Sequence, residues 1–235
     1  MDKIKVLMIG PGSPDAANAG LGLVVDELKK VLSTKLSLIS IEPKDVKGGE
    51  KEELVTSFSE KEVVQDLVRI SISTTIDPYS YFEPVTEQEV ESKESEVKKI
   101  YEEFTESVTK ASGQHDFDLI YAHDWIGMEA AMELQEQSGK PLVLHIHSLD
   151  IDRLGANHKS WIYDIERLAI LKADAIIAVS EYTKNRIVDN YSGDPAKITV
   201  AYPGIPALSR RKAKTNPVDK IHRLVALGLE PINRG

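Results

Sequence analysis

The chain contains no cysteine. That excludes disulfide frameworks, thiolate metal sites and cysteine nucleophiles, and it fits a reducing compartment, so a cytoplasmic location is the expectation. Long hydrophobic runs are missing too. The N-terminal stretch Ile4 to Ile9 falls far short of the roughly 20 apolar residues that a membrane-spanning helix needs, and no signal-peptide cleavage pattern follows it. Basic residues are in the minority: 29 Lys and Arg against 38 Asp and Glu give a net charge of -9. This balance disfavours a general nucleic-acid-binding role, because duplex affinity rests on lysine and arginine neutralising phosphates. The basic run Ser209 to Lys214 is a local exception. It lies among Pro203, Pro206 and Pro217 without an apolar period, and is read as a solvated linker. Neither a fixed internal period nor a low-complexity segment is found, which excludes a solenoid.

What is present is 235 residues, 41% of them hydrophobic, enough for one large domain or two small ones. Lys3 to Ile9 reads as a buried strand. Leu21, Val24, Val25, Leu28, Val31 and Leu32 then recur at helical spacing, and Leu36 to Ile41 is a second strand, so the chain opens as a parallel βαβ unit. Residues 43–62 are polar with a glycine pair and read as an exposed connection. Val68 to Ser73 alternates like a strand, and Glu87 to Ala111 carries an apolar stripe near the 3.6 period, a long surface helix. From there strands and helices alternate regularly: Asp118 to Tyr121, Ile126 to Gln137, Pro141 to Ile146, Ser160 to Lys172, Ala175 to Val179, Glu181 to Asn190 and Ile198 to Ala201. Such alternation predicts an α/β fold with a doubly wound, mostly parallel Rossmann-like sheet and helices on both faces.

In such sheets ligands bind outside the carboxyl ends of the strands, where loops carry polar groups and helix N-termini face the crevice. Three strands end in polar residues: His123, Asp124 and Trp125 after the first, His147, Ser148 and Asp150 after the second, Ser180 and Glu181 after the third. Each has a structural alternative. His145 and His147 share one side of a strand and, with His123 or Asp124, could be imagined as metal ligands, or His145 could be a hydrogen-bonded core residue. Ser180 and Glu181 fit an N-cap and first helical turn as well as a site. Trp125 either seals the sheet edge or forms an aromatic cleft wall. In the first loop, Gly10-Pro11-Gly12-Ser13-Pro14-Asp15 breaks the G-x-G-x-x-G fingerprint at its third glycine, and no Walker A pattern occurs. Gly20 and Gly22 at the following helix start leave backbone N–H groups open to an anion.

The stretches AGLGLVVDELKKVL (19–32), YAHDW (121–125), PLVLHIHSLDIDR (141–153), ERLAILKADAIIAVSEYTKNRI (166–187) and KITVAYPGI (197–205) together resemble the N-terminal domain of retaining GT-B glycosyltransferases. The similarity is greatest to the glycogen and starch synthase-like members of families 4 and 5. It spans residues 1 to about 208. The resemblance implies an N-terminal domain that holds the acceptor, and a second Rossmann-like domain that binds most of a nucleoside-diphosphate sugar. Carried over residue by residue, it places Gly20 and Gly22 on the donor-diphosphate side and Asp124 on acceptor hydroxyls, with Trp125 and His123 beside it. His147, the catalytic candidate, lies near the transferred sugar; Ser180 and Glu181 stand at the periphery of this set. Asn18 and Ala19 stand where the family commonly has a Gly-Gly pair or a lysine, which argues against a strict glycogen synthase. The family is usually metal-independent, so neither metal nor cofactor is expected.

The domain expectation is therefore an acceptor-binding domain over 1–208, a linker over 209–223, and at 224–235 the start of a C-terminal donor-binding domain. The function expected is hexosyl transfer from a nucleotide sugar, with activity only when a donor-binding domain or partner chain completes the enzyme. The alternative is a stand-alone carbohydrate or sugar-phosphate binding protein of the same fold. Partners expected are a carbohydrate or sugar-phosphate acceptor and no nucleic acid.

Overall fold

The computed structural model describes residues 3–11, 19–45, 58–64, 66–76, 87–155 and 160–204. Linker 209–223 and segment 224–235 lie outside them, as does most of the first loop. Eight strands form one sheet: β1 (Lys5–Ile9), β2 (Ser37–Asp45), β3 (Phe58–Val64), β4 (Leu67–Thr74), β5 (Leu119–His123), β6 (Leu142–Ile146), β7 (Ala175–Ala178) and β8 (Ile198–Val200). Their order is β3-β4-β2-β1-β5-β6-β7-β8. Every neighbouring pair is parallel except β3 against β4. The helices are α1 (Ala19–Ser33), α2 (Glu87–Ser112), α3 (Asp124–Ser138), α4 (Asp150–Leu154), α5 (Trp161–Lys172) and α6 (Glu181–Tyr191). This is the doubly wound, mostly parallel α/β fold expected from the alternation.

Alternation along β1 explains the two cores. Leu7 and Ile9 join a large apolar cluster with residues of α2, α3, α5 and α6, whereas Val6 and Met8 face a smaller cluster that includes Val25 of α1, because successive strand side chains point to opposite faces. With both faces covered, each strand reads as a nearly continuous apolar run. Helix α3 is buried along most of its length, since α2 and α5 pack beside it. It stops where Gly139 turns left-handed (φ 67°) and returns its N–H to the Gln135 carbonyl, a C-cap that glycine adopts without a Cβ clash.

One stretch departs from the sequence reading. Residues 43–62 are not a simple exposed connection: β2 continues to Asp45 alongside β4, and residues 58–64 form the antiparallel edge strand. Their polarity hides the strands because Glu42 is buried by pairing with Lys29 of α1, and an edge strand needs no continuous apolar run. The short helix α4 was not apparent in the sequence either.

Strand β1 lies between β2 and β5, so the chain turns one way from β1 and later resumes on its other side. The crevice at such a switch point is where open α/β sheets place their ligands.

Candidate functional site

The carboxyl ends of β1, β5 and β6 meet at this switch point. Gly10 follows β1 and donates its N–H to the Ile41 carbonyl (3.2 Å). A Cβ on Gly10 would lie 2.8 Å from the Cβ of His123, so the glycine is what lets the β5 histidine pack against the β1 turn. His123 is fully buried and stands directly opposite His145 in the β5–β6 register. Beyond it Asp124 takes a left-handed backbone (φ 50°), a conformation aspartate tolerates better than most residues.

That turn aims the Asp124 carboxylate across the gap between strands. Its Oδ1 accepts the backbone N–H of His147 at 2.7 Å and that of Ser148 at 3.3 Å. Asp124 is only 5% exposed. Burial raises its pKa to about 6, opposed by the two backbone N–H groups and by Arg153. One oxygen of the carboxylate is thus committed to fixing the turn that carries His147, while Asp124 also lines a small cleft. Of the two alternatives for Trp125, the structure favours the seal: the side chain is 2% exposed, packed against Tyr101 (5.2 Å between ring centroids) and edge-on to Trp161 (5.7 Å), and it borders only a small cleft. Tyr101 also donates its hydroxyl to the Trp125 carbonyl (2.9 Å).

The three histidines form a stack. His123 Nδ1 lies 3.1 Å from His147 Nε2, the His145 and His147 rings are 4.3 Å apart and nearly parallel, and Tyr121 Oη lies 2.6 Å from His145 Nδ1. Desolvation lowers all three pKa values, to about 3 for His145 and about 4 for His147, so the rings are neutral at pH 7. His147 is half-buried, the most exposed of the three.

A second network holds the loop after β6. Glu166 of α5 is fully buried and accepts both the Asp150 N–H (3.0 and 2.9 Å) and the Tyr191 hydroxyl (2.7 Å), while pairing with Arg153 (2.7 Å). Burial pushes its pKa up to about 7. Arg153 also donates to Ser148 Oγ (2.8 Å), so it bridges α5 to the turn that carries His147. Asp150, expected at the strand end, is fully buried and accepts from the N–H and hydroxyl of Ser160, the N-cap of α5. Sequence reasoning assigned no role to Arg153, Glu166 or Tyr191. The available signal was Glu166 itself, a carboxylate four residues after Ile162 and three before Ala169, inside the buried stripe of α5.

Gly20 and Gly22 lie in the first turn of α1. Leu21 between them borders a small cleft with Pro11, Asp124, Ser148 and Arg153, so the structure brings the α1 N-terminus to the β5 and β6 turns. Ser180 and Glu181 do not join them: Ser180 Oγ accepts the Thr183 N–H (3.0 Å) as N-cap of α6, and Glu181 is exposed in its first turn. Among the described residues no helix is long and apolar enough to cross a membrane.

A mostly parallel α/β sheet with polar residues gathered at its switch point defines a Rossmann-like domain. The sequence profile of Glycosyltransferase Family 4 matches residues 96–207. A D-inositol 3-phosphate glycosyltransferase from Actinosynnema mirum is 25% identical over 138 residues, covering 54% of this chain and 32% of that protein. A glycogen synthase from Mycobacterium tuberculosis is 25% identical over 117 residues, covering 45% and 27%. The E. coli structure of trehalose-6-phosphate bound with UDP-2-fluoro glucose superposes with a TM-score of 0.60 at 13% identity, over 94% of this chain and 54% of that one. The chain spans about a third of the length of these curated relatives.

Proposed function

We propose that this chain is the acceptor-binding half of a nucleotide-sugar-dependent hexosyltransferase, with the donor half supplied by a further domain or a partner chain. The observation that carries this reading is the Asp124 clamp on the His147–Ser148 peptide at the sheet's switch point. The clamp fixes the backbone that presents the His147 imidazole, and a neutral imidazole can exchange hydrogen bonds with a sugar hydroxyl without demanding a counter-charge. The first turn of α1, with Gly20 and Gly22, offers its dipole and backbone N–H groups to the diphosphate of the donor. Arg153 acts at one remove, holding Ser148. Stabilising a leaving diphosphate and aligning two sugars both call for groups on the opposite side of a cleft, which is why this half alone is expected to be inactive.

The experiment is an assay of the chain with a panel of UDP-, ADP- and GDP-sugars and of sugar and sugar-phosphate acceptors, with and without a GT-B C-terminal domain added in trans. Acceptor binding without turnover by the chain alone is the expected result. Turnover at the rate of an ordinary enzyme with no second chain present would overturn the half-enzyme reading.

A further inference from the structure

We propose that His123, His145 and His147 form a binding site for one divalent transition-metal ion of the zinc class. The inference shares His147 with the transferase reading, and it rests on geometry. His145 and His147 are two apart on the β6 side and therefore share a face, and His123 is the register partner of His145 on β5. The sheet thus sets the three imidazoles before any ion arrives. Their ring nitrogens lie within 4.8 Å of one another, and His123 Nδ1 and His147 Nε2 are 3.1 Å apart. Tetrahedral zinc with metal–nitrogen bonds of about 2.0 to 2.1 Å holds its ligand nitrogens roughly 3.3 Å apart. One pair already has that spacing, and a ligand nitrogen of the third ring lies within 4.8 Å. Three imidazoles with an open fourth position are a known zinc ligand set.

Other features agree. Tyr121 holds His145 through Nδ1 (2.6 Å), the kind of outer-shell contact that orients a ligating histidine. Because burial keeps the imidazoles neutral, their lone pairs are available at pH 7. The nearby cation Lys29 is neutralised by Glu42, and the Asp124 carboxylate adds negative charge beside the cluster. Access is provided by a cavity of about 320 Å³ between α1 and the Ala201–Gly204 segment, which His145 lines.

The test is titration of the tag-free chain with Zn²⁺ by calorimetry and with Co²⁺ by visible absorption. One ion per chain is expected, with the intense visible band of tetrahedral Co²⁺. Replacement of His145 or His123 by glutamine should weaken binding at least tenfold. Absence of binding, or binding unchanged in both variants, would overturn the proposal. If either variant fails to fold, X-ray absorption of the zinc-loaded wild-type chain decides. Three imidazole ligands support the site, and fewer than three sink it.

Discussion

Asp124 and His147 are joined by a 2.7 Å hydrogen bond from the histidine's backbone N–H to the aspartate's Oδ1. The aspartate therefore positions the histidine's peptide, and its loss is a structural event as well as a functional one. Asp124→Ala removes the acceptor of two backbone N–H groups and places alanine at φ 50°. The expected destabilisation is about 2 to 4 kcal/mol. Asn keeps both an acceptor oxygen and tolerance of the left-handed region, so Asp124→Asn should cost less than half as much. Urea unfolding of the three proteins measures this, and equal losses for the two variants would remove the clamp from the account.

The buried carboxylate of Glu166 has a comparable role with more at stake. Glu166→Ala leaves Arg153 without its buried partner and the Asp150 N–H and Tyr191 hydroxyl without an acceptor. Breaking a buried pair from one side costs about 3 to 5 kcal/mol. Thermal or denaturant melts would show it, and a loss below about 1 kcal/mol would mean that the network is not holding α4 to α5.

Trp125 separates two readings by which property moves. Trp125→Ala in a packed aromatic cluster should cost about 3 to 5 kcal/mol of stability. A cleft-wall tryptophan would instead leave the melting temperature in place and abolish acceptor binding. Parallel melts and acceptor titrations tell these outcomes apart.

The pH dependence follows from opposing shifts. The histidines' pKa values fall on folding from 6.5, to about 4 for His147 and about 3 for His145, so their contribution is present above pH 6.5 and is lost as pH drops toward those values. Asp124 and Glu166 have raised values, about 6 and about 7 against 3.8 and 4.5. Their contribution is complete below the lower values and is lost as pH rises through the higher ones. His145→Gln removes one proton from the first group alone. Its stability curve should therefore fall less steeply than the wild type between pH 6 and 5, by about 1.4 kcal/mol per pH unit. Melts across that range check it, and parallel curves would show that His145 does not titrate as its burial implies.

A smaller change tests the β1–β5 seam. Gly10→Ala would drive a Cβ to 2.8 Å from His123, and a packed interior resists such insertion by about 1 to 3 kcal/mol. Denaturant melts that match the wild type would mean that the turn yields freely.

The sequence by itself determined the sheet class and the edge on which polar residues collect. The alternation of short apolar runs with helical stripes permits few other topologies, and loops after parallel strands are where polarity is free to accumulate. The helix from Glu87 and the strands ending at His123 and Ile146 were legible because a sheet covered on both faces needs unbroken apolar segments. What tertiary structure decided was the direction and company of each polar side chain. Trp125 and Asp124 are neighbours in YAHDW, yet the left-handed turn at Asp124 sends its carboxylate to the β6 turn, while the indole packs against Tyr101 and Trp161. Glu166, Arg153 and Tyr191 are brought together from three separate helices, and the antiparallel edge strand was hidden by its polarity. Hydrophobic period records which face of an element is buried, but burial of a charged or polar group depends on partners that arrive from distant segments, and only the folded chain supplies them.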